Sequence, residues 1–194
     1  MKSAIQIVLA LVIVVLGYLI YDSIMEPVHF NREAERREAA IIERLKDIRS
    51  IQLAHRTRHG RFLGDLDSLV NFVRFDSIAI LRAIGTVPDT LTEAQALRLG
   101  IVERDTFWMP AMDTLLVHAA YPLDSLPFVP YSGGQRFSMA SSMIERSMVM
   151  LPVFEAFAMP EQFLGNLPWR IYYTRKEGLR VGSIMEAKTD GNWE

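Results

Sequence analysis

The chain has 194 residues, half of them hydrophobic, with a formal net charge of −2. Such a composition is too apolar for disorder, and it offers no basic field to hold nucleic acid. There is no cysteine, which excludes disulfides, thiolate catalysis, zinc sites built on sulfur and a lipidated N-terminal cysteine.

The first element is an apolar run. From Ala4 to Ile20 the sequence reads AIQIVLALVIVVLGYLI, with Gln6 its single strongly polar residue. Extended to Met25, it reaches the roughly 20 residues that cross about 30 Å of hydrocarbon as a helix. Tyr18 and Tyr21 stand where interfacial aromatics belong, and Asp22 and Glu26 mark the exit into water. A cleaved secretory signal is the alternative, but its apolar core is shorter and ends in small residues of A-x-A type. Residues Tyr18 to Met25 hold no such site. Residues 1–25 are therefore read as a transmembrane anchor, with 4–25 facing membrane lipid, and Pro27 as the stop or kink that ends it. Lys2 precedes the run, whereas Arg32, Arg36 and Arg37 follow it. Counted literally, this favours a cytoplasmic domain.

Residues 26–59 read as a stalk and packing helix. Asn31 is the expected N-cap and Gly60 the stop. Ala34, Ile41, Leu45, Ile48, Gln52 and His55 follow a helical stripe, widened by Ile42 and Ile51. The charged first half suggests a solvated stalk, on which Arg32, Glu33, Arg36 and Arg37 set partner contacts.

Residues 60–194 read as one α+β domain, short helices first and a mostly antiparallel sheet after them. Asp65 or Asp67 opens a helix through Leu69, Val70 and Val73, and Asp76 a second through Ile80. Thr92 with Gln95 makes a capping-box pattern for a third, closed by Gly100. After residue 105 the segments FWMPAMDTLLV, QRFSMASSMIE, SMVMLPVFEAF, RIYYTRKE and LRVGSIME read as strands, parted by turns at Tyr131–Gly134 and Glu177-Gly178. Asp followed by Ser or Thr recurs at Asp22, Asp67, Asp76, Asp89, Asp105, Asp113 and Asp124. That pattern suits turns and helix starts, whose free amides such side chains satisfy.

Motifs for chemistry are sparse. His55 and His59 share a helix face at metal-ligand spacing, but Arg56 and Arg58 flank them and no metalloprotease glutamate lies between. Asp65-Leu66-Asp67 lacks the glycine and distal glutamate of a calcium loop. No G-x-S-x-G, S-x-x-K or H-E-x-x-H occurs, so no catalytic residue, cofactor or metal is assigned. Met139, Met143, Met148 and Met150 bunch together. Methionine fills irregular cores or forms adaptable contact surfaces, so these four are candidates for either role.

Two resemblances add to this reading. The layout from Met1 to Val73, and above all LKDIRSIQLAHRTRHGRFLGDLDSLVNFV, resembles type IV pilins and type II secretion pseudopilins. The likeness lies in layout: no glycine–phenylalanine processing junction precedes the apolar run, and Gln6 is the polar residue nearest the family's helix-start glutamate. It implies a membrane helix continued into an amphipathic one packed on an antiparallel sheet, with the domain outside the cytoplasm. The phrases Ile84–Asp89, Leu91–Ala94 and Gly191–Glu194 are similar to single-pass proteins of Bacteroidota, which implies a Gram-negative inner membrane. The expectation is a non-enzymatic, membrane-anchored structural or scaffold subunit of a secretion- or pilus-like envelope complex, contacting a protein partner or a second copy. A single-pass ligand-binding or sensory domain would instead need an apolar pocket, and an anchored hydrolase a cleft holding a perturbed carboxylate or histidine.

Overall fold

A computed structural model describes residues 2–84, 95 and 103–194. Apart from Gln95, the capping-box helix of Thr92 to Gly100, and the phrases at Gly85–Asp89 and Leu91–Ala94, lie outside those residues. The protein is α+β, with a long apolar N-terminal helix, short helices and antiparallel sheets.

Helix α1 runs unbroken from Lys2 to His59, which corrects the stop at Pro27 and the fresh N-cap at Asn31. Proline lacks an N–H, so within the helix one carbonyl, that of Ser23, loses its partner, at a cost of about 3 kcal/mol. Ser23 is exposed, so that carbonyl is open to solvation. On the far side of the proline, burial of Phe30 and Ala34 holds the next turns from outside.

The two halves of α1 meet different surroundings. Thirteen aliphatic side chains between Ile5 and Ile24 are 43–71% exposed. Burying each is worth about 1.5–3 kcal/mol, so leaving this stretch in water would cost more than a domain's whole stability. The helix is long and apolar enough to cross a membrane. Beyond it, Phe30, Ala34, Arg37, Ile41, Leu45, Ile48, Gln52 and His55 are all buried, at steps of three or four. Packing thus starts earlier than the charges suggest. Only one helix face is needed for the core, and Arg32, Glu35 and Arg36 lie off it, exposed.

Against that face lies a three-stranded antiparallel sheet ordered β3 (Ser138–Arg146), β4 (Val149–Ala158) and β5 (Leu179–Gly182). Phe154, Ala156, Ala158, Leu179 and Val181 complete the core with Ile41, Leu45, Ile48 and Ile51. Helix α2 (Leu66–Phe75) is capped by Asp65, whose carboxylate accepts the Ser68 amide at 2.7 Å. The expected helix after Asp76 is instead β1 (Ser77–Ile84), paired antiparallel with β2 (Glu103–Pro110). Asp76 ends α2, and the apolar alternation from Ser77 onward finds a ladder partner.

The first expected strand segment, FWMPAMDTLLV, is cut short at Pro110, after which Ala111–Leu115 form α3. Between β4 and β5 lie α4 (Pro160–Leu164) and α5 (Trp169–Tyr172). The latter replaces the expected strand RIYYTRKE: Tyr172 stacks near Phe30 at 5.6 Å and Tyr173 meets Phe163 edge-on at 6.1 Å. Those aromatics anchor the segment by packing on the α1 side of the domain rather than by joining a sheet.

Gln52 fastens the helix to the turn that follows it. Fully buried, it accepts the Leu63 amide at 2.9 Å and donates to the Leu63 carbonyl at 2.8 Å and to Met139 Sδ at 3.3 Å. One amide thereby satisfies both backbone groups of half-buried Leu63. Gln52→Leu should cost about 2–4 kcal/mol by stranding those two groups, read by denaturant unfolding in detergent; a loss below half a kcal/mol would mean that solvent takes over both bonds.

Candidate functional site

The β3–β4 ladder pairs Met143 with Pro152 and Arg146 with Val149, closed by Ser147 and Met148. Both turn residues have positive φ, 53° and 63°, the geometry of a tight hairpin that glycine or asparagine normally supplies. Methionine at such a position costs backbone energy, and here it gains no burial, because Met148 is 95% exposed. Strand β5 pairs only with Glu155–Ala158, so the outer half of β4 projects without a second neighbour. Met143, Val149 and Met150 are about half exposed on this tip, and nearby Ile144 lines a shallow recess with Met185, itself 81% exposed.

The methionine cluster therefore divides. Met139 faces inward, its sulfur against Gln52, whereas Met143, Met148 and Met150 face solvent. The charged set divides as well. Arg32 and Arg36 are exposed, with Arg36 loosely paired to Glu33 at 3.7 Å. Arg37 is buried: Nε donates to Glu33 at 2.8 Å, and Nη1 donates to the Phe163 carbonyl and to Asn166 Oδ1, each at 2.7 Å. The two Nη1 bonds hold α4 and its following loop onto α1, and the Glu33 bond steadies the guanidinium from within the helix, so Arg37 is spent inside its own domain.

A second exposed surface escaped the sequence reading. Phe107, Trp108 and Met109 on β2 are 41–60% exposed, and Phe75 beside them is 78% exposed. Three consecutive large apolar residues in a strand make both its faces apolar, and a two-stranded arm covers only one of them. That run was the available signal. Arg58 sits over the Trp108 ring at 4.8 Å and pairs with Asp76 at 2.9 Å, fastening the arm to the end of α1.

The perturbed titratable groups serve packing. Burial raises the pKa of Asp47, against the Tyr121 hydroxyl that donates to it. Burial, then the Asp47 hydrogen bond, raises that of Tyr121 in turn. Arg44 lies 4.2 Å above the Tyr121 ring and donates to the Phe128 carbonyl at 2.8 Å. Together they latch the 121–128 loop to α1. His55 is buried, its Nδ1–H donating to the Arg61 carbonyl at 2.8 Å, while His59 approaches Asp76 at 3.2 Å. Among the described residues no group of three potential ligands gathers for a metal.

A cleft of about 520 Å³ lies between Arg56, Gly60 and Phe62 on one side and Leu151–Val153 with Lys188–Asp190 on the other. It contains neither Asp47 nor His55. Of the recurrent aspartates, Asp67 binds Arg136 at 2.6 Å and Asp124 pairs with Arg74, so they join separate elements as well as ending them. The chain matches no protein-family model, no curated protein and no solved structure.

Burial lowers the pKa of His55, opposed by its bond to the Arg61 carbonyl. A folded value below the unfolded one leaves stability intact above the unfolded pKa near 6.5, and drains it as pH falls toward the folded value. His55→Gln, which keeps an N–H donor for Arg61, should flatten the fall in Tm between about pH 7 and pH 5. An identical slope in the two proteins would show that His55 titrates freely.

Proposed function

We propose that the protein is a membrane-tethered structural or scaffold subunit of a bacterial envelope complex, working by protein contact rather than catalysis. One observation carries this: a cluster of exposed apolar groups, led by Met148 at 95%, gathers at the pole of the domain farthest along α1 from the apolar segment. Met139 packs at Gln52, Phe154 stacks on Phe62 at 4.7 Å, and Leu151–Val153 face Gly60, so the hairpin tip extends past the helix end. The Trp108 arm is fastened at Arg58, at that same pole.

Helix α1 rises 1.5 Å per residue, which puts His59 about 45 Å beyond Phe30. A subunit anchored through residues 4–25 thus presents its methionine hairpin well clear of the lipid. Flexible thioethers suit an adaptable contact with a partner or a second copy. The pilin-like layout supports a place on the periplasmic side of an inner membrane, and the Bacteroidota resemblance supports a Gram-negative one. The mixed-polarity cleft favours a second reading, capture of a small polar ligand between Arg56, Lys188 and Asp190.

Photo-crosslinking from position 148 in intact membranes should trap a discrete partner or dimer, and Met143→Asp with Met150→Asp should abolish capture. Both sites are exposed, so Tm should change little. A product equally abundant from Glu43, on the exposed flank of α1, or none at all at native expression, would refute the hairpin as a contact face.

A further inference from the structure

The chain between α4 and β5 makes an excursion along α1. Phe163 and Asn166 are held at the level of Arg37. The chain then travels toward the apolar end of α1, placing Tyr172 against Phe30, with the Glu26 carboxylate close enough to act on its hydroxyl. By Arg175 it has returned to the level of Glu38, which it pairs at 2.8 Å. Arg37 also lies over the Tyr131 ring at 5.2 Å, and the polar side-chain contacts that Arg44, Asp47, Arg49, Gln52, His55 and Arg58 make outside α1 fall farther out. Among the described residues, helix α5 is therefore the part of the domain nearest the apolar segment.

Its composition is unusual for an exposed loop. Ile171 is 75% exposed, and Pro168 and Arg170 are open beside half-buried Leu167, Trp169 and Tyr172. Arg170 lies over the Trp169 ring at 5.5 Å and only loosely meets Glu161 at 3.7 Å. Tryptophan, tyrosine and a snorkelling arginine around a bare isoleucine form the set that partitions into a lipid headgroup layer.

The position agrees with that chemistry. A span of about 30 Å starting at Ile5 ends near Ile24. The headgroup layer adds about 5–7 Å, which covers the next four or five residues of α1. Glu26 falls inside it and Phe30 at its outer edge, the two residues that Tyr172 faces. The surrounding charge is mixed, with Asp22, Glu26, Glu35 and Glu38 on α1 and Arg170, Arg175 and Lys176 on the loop. Attraction to anionic lipid is therefore weak, and apolar insertion dominates.

We infer that Leu167–Tyr172 is a second membrane contact, in which Ile171 and its aromatic neighbours dip into the headgroup layer of the bilayer that α1 spans. This rests on the membrane-spanning reading of α1. The contact sets the tilt of α1 toward the side that carries α5 and makes the bilayer surface a base for the distal hairpin.

The chain has no native thiol, so single cysteines report depth directly. In phosphatidylcholine nanodiscs, environment-sensitive fluorophores are placed on full-length Leu16→Cys, Ile171→Cys and Met148→Cys. Position 16 should read hydrocarbon, position 171 a blue-shifted interfacial environment, and position 148 water. Pro168→Cys should share that interfacial shift and lose it when Ile171→Glu is added. Lipid at 16 with water at 171 would overturn the second contact and leave the anchor standing. Water at 16 would overturn the anchor, and the second contact with it. An interfacial signal at 171 only after anionic lipid is added would replace apolar insertion with charge attraction and would refute the inference as stated.

Discussion

The structure depends on α1 meeting two solvents without a joint. Its first half exposes aliphatic side chains on every side, and its second half offers one narrow stripe to a protein core. Because the backbone is helical throughout, every contact made by the stripe fixes the domain's height relative to the apolar segment. Lengthening or bending the helix near Pro27 would move the whole domain together.

The polar groups along that stripe show how the domain is fastened. Arg37, Gln52 and His55 are buried among aliphatic residues, yet each bonds to the backbone of a segment outside α1: Phe163, Leu63 and Arg61. Hydrophobic contact supplies the adhesion but not a register along a smooth helix. The three polar bridges supply the register, because each buried side-chain donor would be costly to strand. With the core thus closed on one side, the most exposed apolar groups beyond the N-terminal segment are left at the poles, on the methionine hairpin and the Trp108 arm at one end and on Ile171 at the other.

Much of this was legible in the residues. The apolar run, the stripe from Ala34 to His55, the cap at Asp65 and the paired strands at the Met-rich hairpin follow from local pattern. Pattern failed where a neighbour decided the outcome. Pro27 reads as a breaker because propensity counts a lost bond and not the burial that holds the following turns. Arg37 reads as solvent-facing because its charge hides its position, four residues before Ile41 on the same stripe. RIYYTRKE has strand composition but packs as a turn of helix against Phe30 and Phe163. The division of the methionines, one inward and three outward, depended on where β5 stops pairing, which no local signal records.

The account stands on α1 being one stiff rod across Pro27. Spin labels on Leu16→Cys and Glu35→Cys, with the full chain in lipid nanodiscs, span that point. A continuous helix predicts one narrow distance distribution, reflecting a backbone separation of about 28 Å. A broad or two-peaked distribution, or a markedly shorter mean, would reveal a hinge at the proline and contradict it.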